Sequence, residues 1–267
     1  MLAQERLITR VRDACHADPR LEAALMYGSF AQGEGDTHSD IEFWLFFTPE
    51  GRAEVDPAAW CAQVAPLRHL VVNEFGTHVA FFPDLLRGEF HFATGADIAQ
   101  VRAWPARGAP VERMLVLDRG GRLGEALAAV PEQPAVVSDA GEALALCGRM
   151  ANWLVLAHHV NERGEVLRAL DALAHAHRHL LWLARLAENR TGHWLTPSRA
   201  AEADLPAHAL AALAPAVATA ATREEVRRAV QAAWRCGRDC WQRLAGRYDT
   251  PVPQALFDDL DHATGLR

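Results

Sequence analysis

The strand-forming pattern of this chain stops at one place, and everything beyond it reads as helix. Up to PEQPAVVS (residues 131–138), short apolar and aromatic runs are separated by turn residues. ALMY (24–27) ends at Gly28, and IEFWLFF (41–47) ends at Thr48-Pro49. HLVVNEF (69–75) and HVAFF (78–82) flank Gly76-Thr77, a spacing that predicts a hairpin with a tight turn, and EFHFA (89–93) follows Gly88. The N-terminal twenty residues read as an amphipathic helix rather than a signal peptide, and Pro57–Val64 and Ala96–Trp104 also read as helical. After the proline-bearing stretch the chain is rich in Ala and Leu at helical spacing. Helices are expected over Asp139–Arg163, Glu165–Arg190, Pro206–Thr219 and Thr222–Arg247, the last opened by a Thr222/Glu225 capping box, with a short final helix after Pro253. The fold class expected is therefore α+β. Residues 1–134 form a domain around a mixed β-sheet, followed by an all-α helical bundle over 135–267.

Composition narrows the chemistry. All 27 basic residues are arginine, because the chain contains no lysine. Schiff-base catalysis and a P-loop phosphate lysine are thereby excluded. Residues 1–134 hold 12 Arg against 19 Asp and Glu, whereas 135–267 hold 15 of each. An acidic first half suits metal ions and a cationic small molecule and suits nucleic acid poorly. No apolar run of about 18 residues suggests a membrane span. Five cysteines, odd in number and outside any zinc spacing, point to reduced thiols and a cytoplasmic setting.

The stretch MYGSFAQGEGDTHSDIEF (26–43) carries the functional signal. Gly28 lets backbone approach a ligand, and Ser29 can open a helical turn whose N–H groups meet phosphate oxygens. Eleven residues after Ser29 comes Asp40, and Glu42 lies two positions beyond that, separated from it by Ile41. Strand alternation places both carboxylates on one face and sends Ile41 and Phe43 into the core. Two fixed carboxylates side by side repel unless cations neutralise them, and an all-oxygen set that leaves positions open is what Mg²⁺ takes when it also binds a triphosphate. A phosphate cradle beside such a strand predicts metal-assisted phosphoryl or nucleotidyl transfer.

Gly-Ser, about a dozen residues, then Asp-hydrophobic-Glu resembles the polymerase-β nucleotidyltransferase superfamily. That resemblance implies Gly28 and Ser29 on the triphosphate, Asp40 and Glu42 as metal ligands, and a third carboxylate from a later strand. Glu89, in RGEFHF (87–92), is the preferred candidate for this third group, with Glu74 and Asp84 as rivals. MYGSF…GEGD…SDIEF, NEFGTHVAFF (73–82) and RGEFHF together look like the lincosamide nucleotidyltransferases, over roughly the first 95 residues. The helical half agrees with that family in architecture. The resemblance implies Mg²⁺-dependent transfer of AMP from ATP to a lincosamide hydroxyl, with two ions, and a homodimer. Asp40 and Glu42 are the metal ligands on this reading, and Glu89 acts as general base or completes the metal shell. Arg87 reads as an ordinary surface residue.

Two other functions compete. One is adenylylation of an aminoglycoside; the other is a regulatory, antitoxin-like nucleotidyltransferase acting on a protein partner. The remaining conspicuous residues have simpler accounts. His175, His177 and His179 read as solvated or hydrogen-bonded, and His158-His159 as favourably placed at a helix end. Cys236 and Cys240 read as packing thiols, and the tryptophans of the helical half as core.

Overall fold

The computed structural model describes residues 1–266. They form two compact units, Met1–Ala135 and the residues from Val136 onward.

In the first unit, α1 (Ala3–Ala17), β1 (Leu21–Tyr27), α2 (Gly28–Gln32), β2 (Ile41–Phe47), α3 (Pro49–Glu54) and α4 (Pro57–Val64) come first. They are followed by β3 (His69–Val72), β4 (His78–Phe81), β5 (Arg87–Thr94), a 3₁₀ segment (Gly95–Ala103), α5 (Val111–Met114), β6 (Leu115–Asp118) and α6 (Arg122–Ala128). The six strands form one mixed sheet in the order β3-β4-β5-β2-β1-β6. Only β2 and β5 run parallel, in the register Glu42 opposite Glu89 and Trp44 opposite His91. This pairing forces the chain to cross over between β2 and β5, and α3, α4 and the β3–β4 hairpin lie in that crossover.

Alternation does the sorting. Ile41, Phe43 and Leu45 of β2, with Phe90 of β5, are buried, while Glu42, Trp44, Glu89 and His91 occupy the other, half-open face. Phe43 stacks on Phe90 at 5.9 Å, and Trp60 of α4 meets Phe90 and Phe92 edge-on at 5.7 Å. Each fully buried aromatic or aliphatic side chain of this kind stabilises the fold by roughly 1.5–3 kcal/mol, which pins the register that sets the polar face.

Several expectations shift in detail. The strand expected to run to Phe75 ends at Val72, because Asn73 Oδ1 accepts hydrogen bonds from the N–H groups of Phe75 and Thr77, both 3.0 Å. The hairpin turn is therefore an Asx-type loop across 73–77, with Gly76 at φ 79°, instead of a two-residue turn. The helix expected over Ala96–Trp104 is a 3₁₀ segment, Gly95–Ala103.

The second unit contains α7 (Ala140–Glu162), α8 (Val166–Ala187), α9 (Ala201–Asp204), α10 (Ala207–Leu213), α11 (Arg223–Arg247) and α12 (Gln254–Ala263). Asp139 caps α7 by accepting from Glu142 N–H at 2.9 Å. Gly164, at φ 86°, ends it. The capping box expected at α11 is only half formed. Thr222 accepts from Glu225 N–H at 3.2 Å, but the Glu225 carboxylate turns to Thr219 and Arg228. Pro215 cuts short the helix expected to reach Thr219, leaving α10 and one 3₁₀ turn.

The long faces of α7, α8 and α11 bury a core of Ala, Leu and Val around Trp234 and Trp241, which meet Phe257 of α12 edge-on at 5.1 and 5.3 Å. His175 stacks on Trp153 at 4.3 Å, and Cys236 and Cys240 are buried thiols. No described helix is long and apolar enough to cross a membrane.

Candidate active site

β1 ends at Tyr27, and Gly28 turns the chain into the short helix α2 with a left-handed φ of 73°. A β-carbon on Gly28 would lie 1.4 Å from Glu42 Oε2, so the backbone can approach the carboxylate only because glycine stands there. Ser29 is half-buried in the first turn of α2. Arg113 holds the far end of this turn, donating to the carbonyls of Phe30 (3.2 Å) and Gln32 (3.5 Å). The loop to β2 is tied down by Asp36, which accepts from His38 N–H and Ser39 Oγ, and by Gln4, which donates to the Thr37 carbonyl.

Asp40 immediately precedes β2, Glu42 is its second residue, and Glu89 lies beside Glu42 on the parallel neighbour β5. The three sequence-selected carboxylates thus share one region of one sheet face. The two rivals do not. Glu74 is exposed in the β3–β4 loop, and Asp84 is exposed in the turn before β5.

One sequence reading is corrected here. Arg87 is the first residue of β5, so alternation puts it on the same face as Glu89. Its guanidinium donates to Asp40 Oδ2 at 2.5 Å and to Glu89 Oε1, which makes it a bridge between two of the carboxylates and no ordinary surface arginine. The signal was present in the i, i+2 spacing of Arg87 and Glu89; what the sequence could not supply was where the strand begins. Burial raises the Asp40 pKa, and the Arg87 guanidinium opposes the rise.

Two further residues had no place in the sequence reading. Tyr27 and His91 share a hydrogen bond between the phenol oxygen and Nε2, 3.1 Å, and Thr77 Oγ1 lies 3.4 Å from the same nitrogen. His91 also stacks flat on Trp44, with centroids 4.0 Å apart, and Trp44 touches Trp104. Burial, helped by His78, pushes the His91 pKa down to about 4, so its imidazole is neutral near pH 7. Burial, and then the charges of Glu42 and Glu89, push the Tyr27 hydroxyl strongly up, so it remains a neutral donor beside the carboxylates. The positions two residues after Glu89 and one before Gly28 were visible in the sequence, but their convergence is a product of sheet order.

Asp40, Glu42 and Glu89 offer only hard oxygen donors, a set whose chemistry fits Mg²⁺. Among the described residues, no three His, Cys, Asp or Glu side chains already converge as a metal-binding group. The Arg87 guanidinium engages one oxygen each of Asp40 and Glu89.

Residues 142–263 match the family model described as "Lincosamide nucleotidyltransferase-like, C-terminal domain". The helical unit is thus similar to a domain of that kind, which indicates an enzyme of the nucleotidyltransferase class. The crystal structure of an aminoglycoside 6-adenyltransferase from Bacillus subtilis aligns with 98% of this chain and 97% of its own, at 12% sequence identity and a TM-score of 0.46. No curated protein matches the sequence.

Proposed function

We propose that this enzyme transfers AMP from ATP to a hydroxyl group of a lincosamide antibiotic, releasing pyrophosphate and inactivating the drug. The observation that carries the proposal is the in-register pairing of Glu42 with Glu89 on parallel strands, with the Gly28 turn packed against the Glu42 carboxylate. The family match of the helical unit supports the acceptor class.

On this reading Gly28 and Ser29 receive the triphosphate, with glycine supplying the close approach. Asp40, Glu42 and Glu89 are the residues that would hold divalent metal, two ions of Mg²⁺. When bound, the metal neutralises charge on the phosphates and makes the acceptor hydroxyl easier to deprotonate. Glu89 takes the proton from that hydroxyl as its oxygen bonds to the α-phosphorus, and the bond from that phosphorus to the pyrophosphate oxygen breaks. Tyr27, hydrogen-bonded to a neutral His91, keeps that edge of the site rigid and uncharged. We further propose that the protein works as a cytoplasmic homodimer.

Mass spectrometry of clindamycin incubated with protein, ATP and Mg²⁺ tests the proposal directly. An AMP-sized gain in mass, strongly preferred over the same gain on kanamycin, is expected. Modification of kanamycin alone would move the acceptor to the aminoglycosides, and modification of neither would remove the antibiotic reading.

A further inference from the structure

The bridge formed by Arg87 has a consequence for how the site loads. Its guanidinium donates to Asp40 Oδ2 and Glu89 Oε1, oxygens that the proposed metal site would need. A guanidinium and a divalent ion cannot share those oxygens, because like charges at contact distance repel strongly in a half-buried site. Arg87 is nonetheless free to leave. Its side chain is 38% exposed, and it is the first residue of β5, next to the turn that precedes the strand.

The absence of lysine bears on its destination, because a permanently cationic side chain that meets the triphosphate must be an arginine. Several other arginines of the first unit are engaged elsewhere: Arg52, Arg107, Arg113 and Arg119 donate to backbone carbonyls, and Arg20 and Arg122 are paired with Asp18 and Glu22. Arg87 is bonded to the proposed metal-binding carboxylates themselves, and it has the planar fork that suits phosphate oxygens.

We propose that Arg87 is an exchangeable internal cation. Before substrate arrives it neutralises Asp40 and Glu89, so that metal alone binds weakly. Metal arriving with the triphosphate displaces it, and the freed guanidinium pairs with phosphate oxygens. Loading is thereby biased towards metal and nucleotide together. This inference rests on the metal-dependent nucleotidyltransferase reading of the same site.

The test measures binding without turnover. Mn²⁺ alone is titrated into wild type, Arg87→Gln and Arg87→Lys, followed by paramagnetic resonance of the free ion. Arg87→Gln should bind Mn²⁺ roughly tenfold more tightly than wild type, and α,β-methylene-ATP with Mg²⁺ roughly tenfold more weakly, a change typical of losing a charge-assisted pair. Arg87→Lys, whose ammonium cannot bridge both carboxylates in a fixed fork, should fall between the two in Mn²⁺ affinity, and it carries the test if Arg87→Gln does not fold. Mn²⁺ affinity unchanged or weakened in the Arg87 variants, while Asp40→Asn still abolishes Mn²⁺ binding, overturns the exchange and leaves the metal site standing. No Mn²⁺ binding by wild type or variants overturns both. Tighter Mn²⁺ with unaltered nucleotide affinity overturns the transfer of Arg87 to phosphate.

Discussion

Gly28 and Glu42 are in contact across the β1–β2 pair so closely that one added methyl group would overlap the carboxylate, 1.4 Å from Oε2. Gly28 also holds a φ of 73°, which an alanine adopts only with strain. Gly28→Ala should therefore cost about 1–3 kcal/mol of stability and reduce AMP transfer by roughly 100-fold or more, because Glu42 must move. Gly76→Ala is the control. It carries a similar φ of 79° but meets nothing within 4 Å, so it should lose stability without losing activity. Urea denaturation and an AMP-transfer assay on both variants separate strain from displacement of Glu42; equal activity in the two would refute the role given to this contact.

Asp40→Asn and Glu42→Gln should each abolish AMP transfer while leaving the fold intact, since the amides keep the shape and remove the charge. Activity within about tenfold of wild type in both would sink their assignment as metal ligands. Glu89→Gln should lower turnover by roughly 100-fold or more, with little change in nucleotide affinity, as expected for a general base. Unchanged turnover would send the search back to Glu74 and Asp84, although both are exposed in turns.

Much of this geometry could be read from local pattern. The alternation in IEFWLFF placed Glu42 opposite in sense to Ile41 and Phe43, and the structure buries both apolar residues. The cap at Asp139, the stop at Gly164 and the start of α11 at Thr222 were equally local. What pattern could not give was partnership. MLVLD (114–118) is a short run with no alternation to give it a face, and β6 becomes an edge strand through its register with β1. Arg87 reads as a surface residue because the sequence does not show that β5 begins with it, and so on which face it lies. His91 gave no sign of its contacts with Tyr27 and Trp44, since both depend on β5 lying between β4 and β2. The third helix of the second unit was overextended because alanine-rich periodicity outweighed the break at Pro215.

His91 makes the fold sensitive to acid. Its pKa falls to about 4 in the folded chain, against about 6.5 unfolded. The unfolded chain therefore binds the extra proton between these values, so stability is fully present above about pH 6.5 and is lost as pH falls towards 4. Discounting the full shift for partial exposure leaves about 1–2 kcal/mol. Unfolding free energies measured from pH 4 to 7 should show this loss in wild type and a flatter profile in His91→Gln. Parallel profiles in the two proteins would assign the acid sensitivity to other groups.

In the second unit, Arg185 has no exposed side-chain surface and fastens a stretch with little regular structure of its own. It donates to the carbonyls of Pro197 (2.7 Å), Arg190 (3.0 Å) and Arg199 (2.5 Å) and to Asp204 Oδ2 (2.8 Å). Burial works against ionisation of Asp204, yet hydrogen bonds from Arg185 and His193 hold its pKa below the usual carboxylate value. Arg185→Ala would leave three carbonyls without this donor and Asp204 with His193 as its partner, at a cost of about 3–5 kcal/mol. Arg185→Lys should recover only part of this, because one ammonium cannot span a set of acceptors arranged for a guanidinium fork. Limited proteolysis should then cut the 190–204 segment in Arg185→Ala before the helices on either side are lost. Simultaneous loss of the whole unit would show that Arg185 supports the bundle itself and not only this segment.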